Sequence, residues 1–360
     1  MYPRLVFDLK KVRENLDTIV GIVKSVNCSL MIVTKSFTAD KTIVDLINQH
    51  PMVDYLADSR IDNIRKYPVS QKKSVLLRLP QQNEIEEVVS YADISLNSEI
   101  KTIELLNEEA RRQRKSHKIL IMIDLGDLRE GMFYQEKDLI DDLIKRILTL
   151  SNIEPVGIGA NLTCYGAIIP KEDNLSILVS IADEIRKKFK IEIPIVSGGN
   201  SSSLYLIEKG GLPKGINNLR IGEAFILGNE TAYGRCIAGA HKDAVTLEAQ
   251  IIEIKTKPSL PIGETGVDAF GEKPIYEDRG YIKRAILAIG KQDTDIESMM
   301  PEDPNIDILG ASSDHLIMDV TNSKNDYEVG DIISFTLGYG GLLKASTSSF
   351  VKRDYKYENG

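Results

Sequence analysis

Several signatures are missing from this 360-residue chain, and each absence removes a class of function. Its three cysteines, Cys28, Cys164 and Cys236, lie far apart with no Cys-x-x-Cys spacing. That argues against a disulfide framework or a cysteine zinc site and fits a reducing cytosol, so a cytoplasmic protein is expected. The four histidines, His50, His117, His241 and His315, are scattered, and no metal motif is expected from them. No apolar run approaches the ~18–20 residues that span a bilayer. The first turns carry Arg4, Asp8, Lys10 and Lys11, which does not read as a signal peptide. Positive charge is short as well: 45 Lys and Arg against 53 Asp and Glu give −8. Neither a nucleic-acid surface nor a membrane partner is expected. No Gly-x-Gly-x-x-Gly follows the first strand, which weighs against an open, doubly wound dinucleotide-binding sheet.

What is present is an ordinary soluble balance, 42% hydrophobic and 27% charged, in a chain long enough for a large barrel with an appendage. Residues 1–9 alternate and read as a strand; residues 11–24 repeat at helical spacing. Eight short apolar strands follow, at 30–35, 53–57, 74–79, 93–96, 119–124, 155–161, 193–197 and 219–222. Amphipathic stretches near 40–49, 60–66, 83–90, 98–115, 136–150, 174–189 and 201–209 separate them. That alternation predicts an α/β fold, a (β/α)8 TIM-type barrel over 10–234. From Asp243 onward helical periodicity disappears, and 245–255, 284–290, 315–320 and 331–337 read as strands between Pro-, Gly- and Asp-rich loops. Residues 235–360, joined by the strand 1–9, are expected to form a C-terminal all-β domain. The basic run 111–115 follows Glu108 and Glu109 on a helix and reads as a solvated face.

Four places at strand ends carry chemistry. Lys35 ends the run Leu30-Met31-Ile32-Val33-Thr34-Lys35. A lysine at a strand tip inside a barrel mouth loses solvent and becomes a nucleophile able to form a Schiff base; one lying over the rim has the same local sequence. After the seventh strand, Ser197-Gly198-Gly199-Asn200-Ser201-Ser202-Ser203 combines glycines for close approach with hydroxyl donors at a helix start. That suits a phosphate, which barrels bind after strands seven and eight, or an ordinary Ser-capped turn. At the eighth strand, Asn218-Leu219-Arg220-Ile221-Gly222-Glu223 puts an arginine in the mouth, for a ligand or an ion pair. After the fifth, Asp124-Leu125-Gly126-Asp127-Leu128-Arg129-Glu130-Gly131-Met132 supplies acids and a guanidinium, or only a charged loop. A lysine, a phosphate cradle and a buried arginine around one mouth describe a pyridoxal phosphate site.

With these residues in view, the chain resembles the fold-type III pyridoxal phosphate enzymes, the alanine racemase superfamily, over nearly its whole length. Val33-Thr34-Lys35-Ser36, the Asp124 loop, Gly198-Gly199-Asn200-Ser201-Ser202, Arg220-Ile221-Gly222-Glu223 and Gly338-Tyr339-Gly340 occur in the family's order. Tyr55-Leu56-Ala57-Asp58-Ser59-Arg60, Asn161-Leu162-Thr163-Cys164-Tyr165-Gly166, the segment 197–203 and Lys257-Pro258-Ser259-Leu260-Pro261-Ile262-Gly263-Glu264 are similar to the family's ornithine-specific branch. The resemblance implies that Lys35 bonds the cofactor. Ser201, in the loop with Asn200, and the backbone at Gly222 and Glu223 would hold phosphate, with Tyr339 donating. Arg220 would face the pyridine nitrogen, and Arg129 the phenolic oxygen. It also implies a homodimer with shared active sites.

The departures from the alanine enzymes are specific. Their tyrosine four residues past the lysine is Ala39 here, their carbamylated lysine falls on Met122, and their ring-stacking histidine falls near Asn161. Their second base, a tyrosine donated by the partner subunit, is replaced in Ile289-Gly290-Lys291-Gln292-Asp293. Racemisation needs a proton removed from one face of Cα and returned on the other. Lys35 serves one face in this reading, and Lys291 is the leading candidate for the other, with Asp314 and His315 as alternatives. The substrate-carboxylate loop becomes Ala311-Ser312-Ser313-Asp314-His315, with Ser313 and Asp314 as contacts. A distal substrate ammonium needs a carboxylate; Asp127, Glu130, Asp293 and Asp314 are candidates. The expected activity is racemisation of ornithine or a related diamino acid. Alanine or broad-specificity racemisation, decarboxylation and a non-enzymatic cofactor-binding role are the alternatives.

Overall fold

The computed structural model describes residues 1–69, 72–267, 269–271, 273 and 275–357. The chain divides into two compact units, Arg13–Ala240 and Met1–Val12 with His241–Gly360. No described helix is long and apolar enough to cross a membrane.

In the first unit eight parallel strands close into a barrel. They are β1 Ser29–Val33, β2 Tyr55–Asp58, β3 Lys73–Leu76, β4 Ile94–Asn97, β5 His117–Asp124, β6 Ile153–Gly159, β7 Ile195–Ser197 and β8 Asn218–Ile221. Each pairs with its successor, and β8 returns to β1 with Leu219 opposite Leu30. All eight apolar runs became strands, with shifted ends. Both faces of these strands are covered, which explains their nearly continuous hydrophobic character. Met31 and Val33, Ile94 and Leu96, and Leu120 and Met122 lie two residues apart and join Ala57, Val75 and Ile195 in one buried cluster. The architecture is the expected (β/α)8 TIM-type barrel.

Strand β1 ends at Val33, so Lys35 stands beyond it, opening the 3-10 turn Lys35–Phe37. Phe37 is fully buried, edge-on to Phe225 with centroids 6.2 Å apart. Asp40 then caps the helix Lys41–Gln49 by accepting from Thr42 N and Ile43 N at 3.1 and 3.3 Å. A buried aromatic and a capped helix thus pin both sides of the lysine turn.

The second unit is built on an antiparallel sheet in the order Met299–Pro301, Ile332–Leu337, Val245–Pro258, Tyr281–Leu287, Leu316–Asp319, Asp307–Ala311. Arg4–Asp8 pairs with Val245–Pro258 and, in parallel, with Lys352–Lys356. Three of these strands, at 299–301, 307–311 and 352–356, were not evident in the sequence. Nor was the helix Tyr339–Thr347, which lies where helical periodicity was read as absent. Its Gly340 and Gly341 depress helix propensity, yet packing requires them. A Cβ on Gly340 would stand 2.4 Å from Asp295 Oδ2, and one on Gly341 3.0 Å from the Ser298 carbonyl.

His117, at the start of β5, is buried with one ring nitrogen 2.8 Å from Ser95 Oγ. Burial, aided by Lys115, lowers its pKa to about 4. An unfolded histidine titrates near 6.5, so acid favours the unfolded chain. The stabilising effect of a neutral His117 is complete above pH 6.5 and is lost as pH falls toward 4, by up to about 3 kcal/mol. Urea titrations between pH 7 and 4 should show this slope, flattened in His117→Gln.

Candidate active site

Thr34, the residue before Lys35, is tied to Asp58. The Thr34 hydroxyl donates to Asp58 Oδ2 at 2.5 Å, so the Tyr67 hydroxyl, 2.9 Å away, is the donor to Thr34. Asp58 is fully buried and also accepts from Arg60 N at 2.9 Å and Asn63 Nδ2 at 3.1 Å. Burial raises its carboxyl, against the opposing pull of these three donors and of the Ser59 backbone. Burial and Asp58 keep the Tyr67 hydroxyl protonated. Lys35 itself is half-buried. Burial raises the Glu223 carboxyl, and the Asn229 amide and the Lys35 ammonium pull it back.

Arg220, on β8, is only 3% exposed. Its Nη2 donates to the Ala160 carbonyl and to Asn161 Oδ1, both at 2.6 Å, and its Nη1 to Ser197 Oγ. Three of its five N–H groups are therefore used, and Nε and one Nη1 hydrogen have no acceptor among the described residues. Burial lowers the guanidinium to about 10, with Glu130 opposing, so it stays charged at neutral pH. Asn161 donates its Nδ2 to Glu130 Oε1, and Glu130 makes a two-pronged pair with Arg129. One polar chain therefore runs Arg220, Asn161, Glu130, Arg129 across the mouth.

The loop after β7 is a tight cradle. Asn200 caps the turn Ser201–Ser203, accepting from Ser202 N at 2.9 Å, and its Nδ2 donates to the Leu162 carbonyl at 3.0 Å. Ser203 Oγ donates to the Gly198 carbonyl at 2.7 Å, and Ser201 Oγ accepts from Ala224 N at 3.2 Å, tying the loop to the helix Glu223–Leu227 that follows Gly222. Gly199 sits at φ +105°, and a Cβ there would lie 2.8 Å from Ser203 Oγ. Ser202 Oγ is buried without a partner among the described residues, as is Ser36 Oγ beside Lys35. Orphaned hydroxyls, a glycine floor and a buried arginine with spare donors fit a phosphorylated, nitrogen-containing ring next to the lysine.

Asp127 is not available to a substrate ammonium, contrary to expectation. It is 1% exposed; Oδ2 accepts from Cys164 N at 3.2 Å and Tyr165 N at 2.9 Å, and Oδ1 from Ile168 N at 3.2 Å. It is the anchor of the loop after β6. Asp127→Ala is expected to destabilise the protein by about 2 kcal/mol, since three N–H donors lose a charged acceptor; urea denaturation measures this. Glu130 is likewise engaged by Arg129 and Asn161.

In the second unit, Lys291 and Asp314 lie on adjoining loops. Lys291 N donates to the Ser312 carbonyl and Gln292 N to the Ser313 carbonyl, each at 2.9 Å. Gly290 permits this contact, because a Cβ there would meet Asp314 N at 2.4 Å. The Lys291 ammonium lies over the Phe270 ring, 4.3 Å from its centroid. Asp314 Oδ1 accepts from His315 Nδ1 at 2.9 Å and from the Ser312 and Ser313 hydroxyls at 3.2 Å. The His315 bond, then those from the serines, hold the Asp314 carboxyl below its usual value. Asp293 is buried and accepts from Ser348 Oγ at 2.7 Å, so it too is withdrawn from the candidate ammonium partners. Tyr339 is half-buried at the first position of its helix.

Residues 7–229 match the sequence model of the alanine racemase N-terminal domain. The chain belongs to the alanine racemase family. Within it, Ornithine racemase of Acetoanaerobium sticklandii is 55% identical over 98% of this chain and 99% of that protein. Lysine racemase of Thermotoga maritima is 38% identical over 99% of each. This chain is therefore an amino acid racemase as well. Alanine racemase of Clostridium difficile 630, solved with cycloserine, superimposes at a TM-score of 0.73 with 17% identity over 100% of this chain and 97% of that one. The Bartonella henselae alanine racemase, solved with covalently bound pyridoxal phosphate, gives 0.73 and 18% over 99% and 100%. At such identities these two structures speak for the fold alone.

Asp58, a carboxylate at the carboxyl end of β2, stands where barrels keep functional groups, and the sequence marks it only within a run of similarity. Glu130 is, by sequence, one of four candidate partners of a substrate ammonium. Only the fold shows it engaged between Arg129 and Asn161.

Proposed function

We propose that this racemase interconverts L- and D-ornithine, or a closely related diamino acid, with pyridoxal 5'-phosphate as cofactor. The observation that carries the chemistry is Arg220: a charged guanidinium buried in the barrel with N–H groups left over. The substrate reading rests on the two full-length relatives, whose named substrates both bear a distal ammonium.

When bound, pyridoxal phosphate supplies the electron sink that acidifies the hydrogen on the substrate's Cα. Lys35 would bond the cofactor at rest and carry the Cα proton on one face during turnover. Ser201, Asn200 and the backbone at Gly222 and Glu223 would hold the phosphate, with Tyr339. Arg129 and Asn161 would border the ring. Arg220 would offer the ring nitrogen a donor that does not surrender its proton, which would disfavour extended charge in the ring and favour prompt return of the proton to Cα.

The second face needs its own base. Asp314, held ionised by His315 and two serines, is a weak base but a good anion. We assign it, with Ser313, to the substrate, Asp314 meeting the distal ammonium. Lys291 takes the role of second base. In this reading it comes from the β-domain of a second copy, in a homodimer with shared sites. Three unpaired cysteines fit a cytoplasmic setting.

Chiral chromatography after incubating all L-amino acids with protein and pyridoxal phosphate tests the assignment. D-ornithine should accumulate first. Faster conversion of alanine, or release of carbon dioxide from ornithine, would overturn it.

A further inference from the structure

The polar chain across the barrel mouth has a direction. Arg220 can only donate, and an ionised Glu130 can only accept. Asn161 lies between them, turning Oδ1 toward Arg220 Nη2 at 2.6 Å and Nδ2 toward Glu130 Oε1. One amide orientation satisfies both neighbours. The flipped amide sets NH2 against a guanidinium and a carbonyl oxygen against a carboxylate, two mismatches in a half-buried site. Glu130 is itself fixed by Arg129, whose Nε and Nη2 both donate to it, the latter at 2.6 Å. Burial would raise the Glu130 carboxyl, but Arg129 and Asn161 outweigh it and hold it below the usual range. The acceptor end of the chain therefore stays charged at neutral pH.

We propose that Glu130 is a positioning residue for racemisation: its carboxylate locks the Asn161 amide in the one orientation that accepts from Arg220. It thereby fixes which Arg220 N–H groups are left to face the cofactor. Three acceptors set the plane of that guanidinium: the Ala160 carbonyl, Asn161 Oδ1 and Ser197 Oγ. Ala160 and Ser197 are held by the barrel strands, so Asn161 is the adjustable one. Glu130 is not bonded directly to Arg220 and acts through the amide. The inference rests on the pyridoxal phosphate reading above.

Glu130→Gln tests it, because glutamine keeps the shape but offers both a donor and an acceptor, so one of the two contacts that orient Asn161 no longer discriminates and only Arg220 still favours the working orientation. Cofactor affinity of the apo-protein, measured by equilibrium dialysis against pyridoxal phosphate, should weaken about tenfold, the worth of one hydrogen bond in a buried site. The kcat for ornithine should fall by a similar factor, with KM and the melting temperature of the apo-protein little changed. Glu130→Asp, which keeps the charge, should recover part of both losses. In an Asn161→Ala background, Glu130→Gln should cost little more, since the element it acts through is gone. Wild-type cofactor affinity and kcat in Glu130→Gln, or additive losses in the double variant, would overturn the inference. Wild-type protein that takes up no cofactor and leaves ornithine unchanged would instead sink the functional reading beneath it.

Discussion

Lys35→Ala should abolish racemisation, with turnover down at least ~10³-fold, because in the proposed mechanism one group supplies both the covalent hold on the cofactor and the acid–base on one face of Cα. The cofactor should also wash out on gel filtration, where the wild-type protein retains it. Lys35→Arg should do no better. A guanidinium keeps the charge but does not give up its proton, so it can neither bond the cofactor nor accept a proton. The fold should survive both changes, since the turn is held by neighbours: Phe37 buried against Phe225, Thr34 bonded to Asp58, and the Asp40 cap. Unchanged melting with lost activity is the expected pair of results. Appreciable turnover by Lys35→Ala would remove this residue from the chemistry.

The second large effect concerns two chains. Lys291→Ala should be as inactive as Lys35→Ala if Lys291 is the base for the other face. Mixed and refolded together, the two inactive variants should regain about a quarter of wild-type activity. Half of randomly paired dimers are mixed, and each mixed dimer has one intact site of two when a two-fold interface shares its residues. Each variant alone must stay inactive through the same refolding. No recovery from the mixture would mean that each chain completes its own site, or that Lys291 is not the base.

Most of the barrel is legible along the chain because barrel signals are local. Each strand of the barrel is a short apolar run ended by polar residues, and eight such runs with amphipathic helices between them admit few architectures. Lys35, Arg220 and the 198–203 loop stand at strand ends for the same reason. The second unit was harder to read. Its strands at 299–301, 307–311 and 352–356 are short and partly exposed, so no clear alternation marks them. Its helix at 339–347 contains a glycine pair that packing against Asp295 and Ser298 demands and propensity disfavours.

The acids show most plainly where sequence reasoning stops. Asp127, Glu130, Asp293 and Asp314 look alike along the chain, four carboxylates near the expected mouth loops. Their fates diverge only in three dimensions. Asp127 is consumed by three backbone N–H groups from residues 37 to 41 positions away. Asp293 is sealed against Ser348, 55 positions on. Glu130 closes a relay to Arg220 through Asn161. Asp314 stays exposed.

The sequence by itself determined the barrel, the family and the residues at the strand ends, since apolar period and motif order are properties of neighbours along the chain. The tertiary structure alone decided which polar groups are engaged and which are left over. Hydrogen-bond partners are drawn from distant segments, and a donor's availability depends on who else has reached it. Two unused N–H groups on a buried arginine are visible only once Ser197, Ala160 and Asn161 have taken the other three.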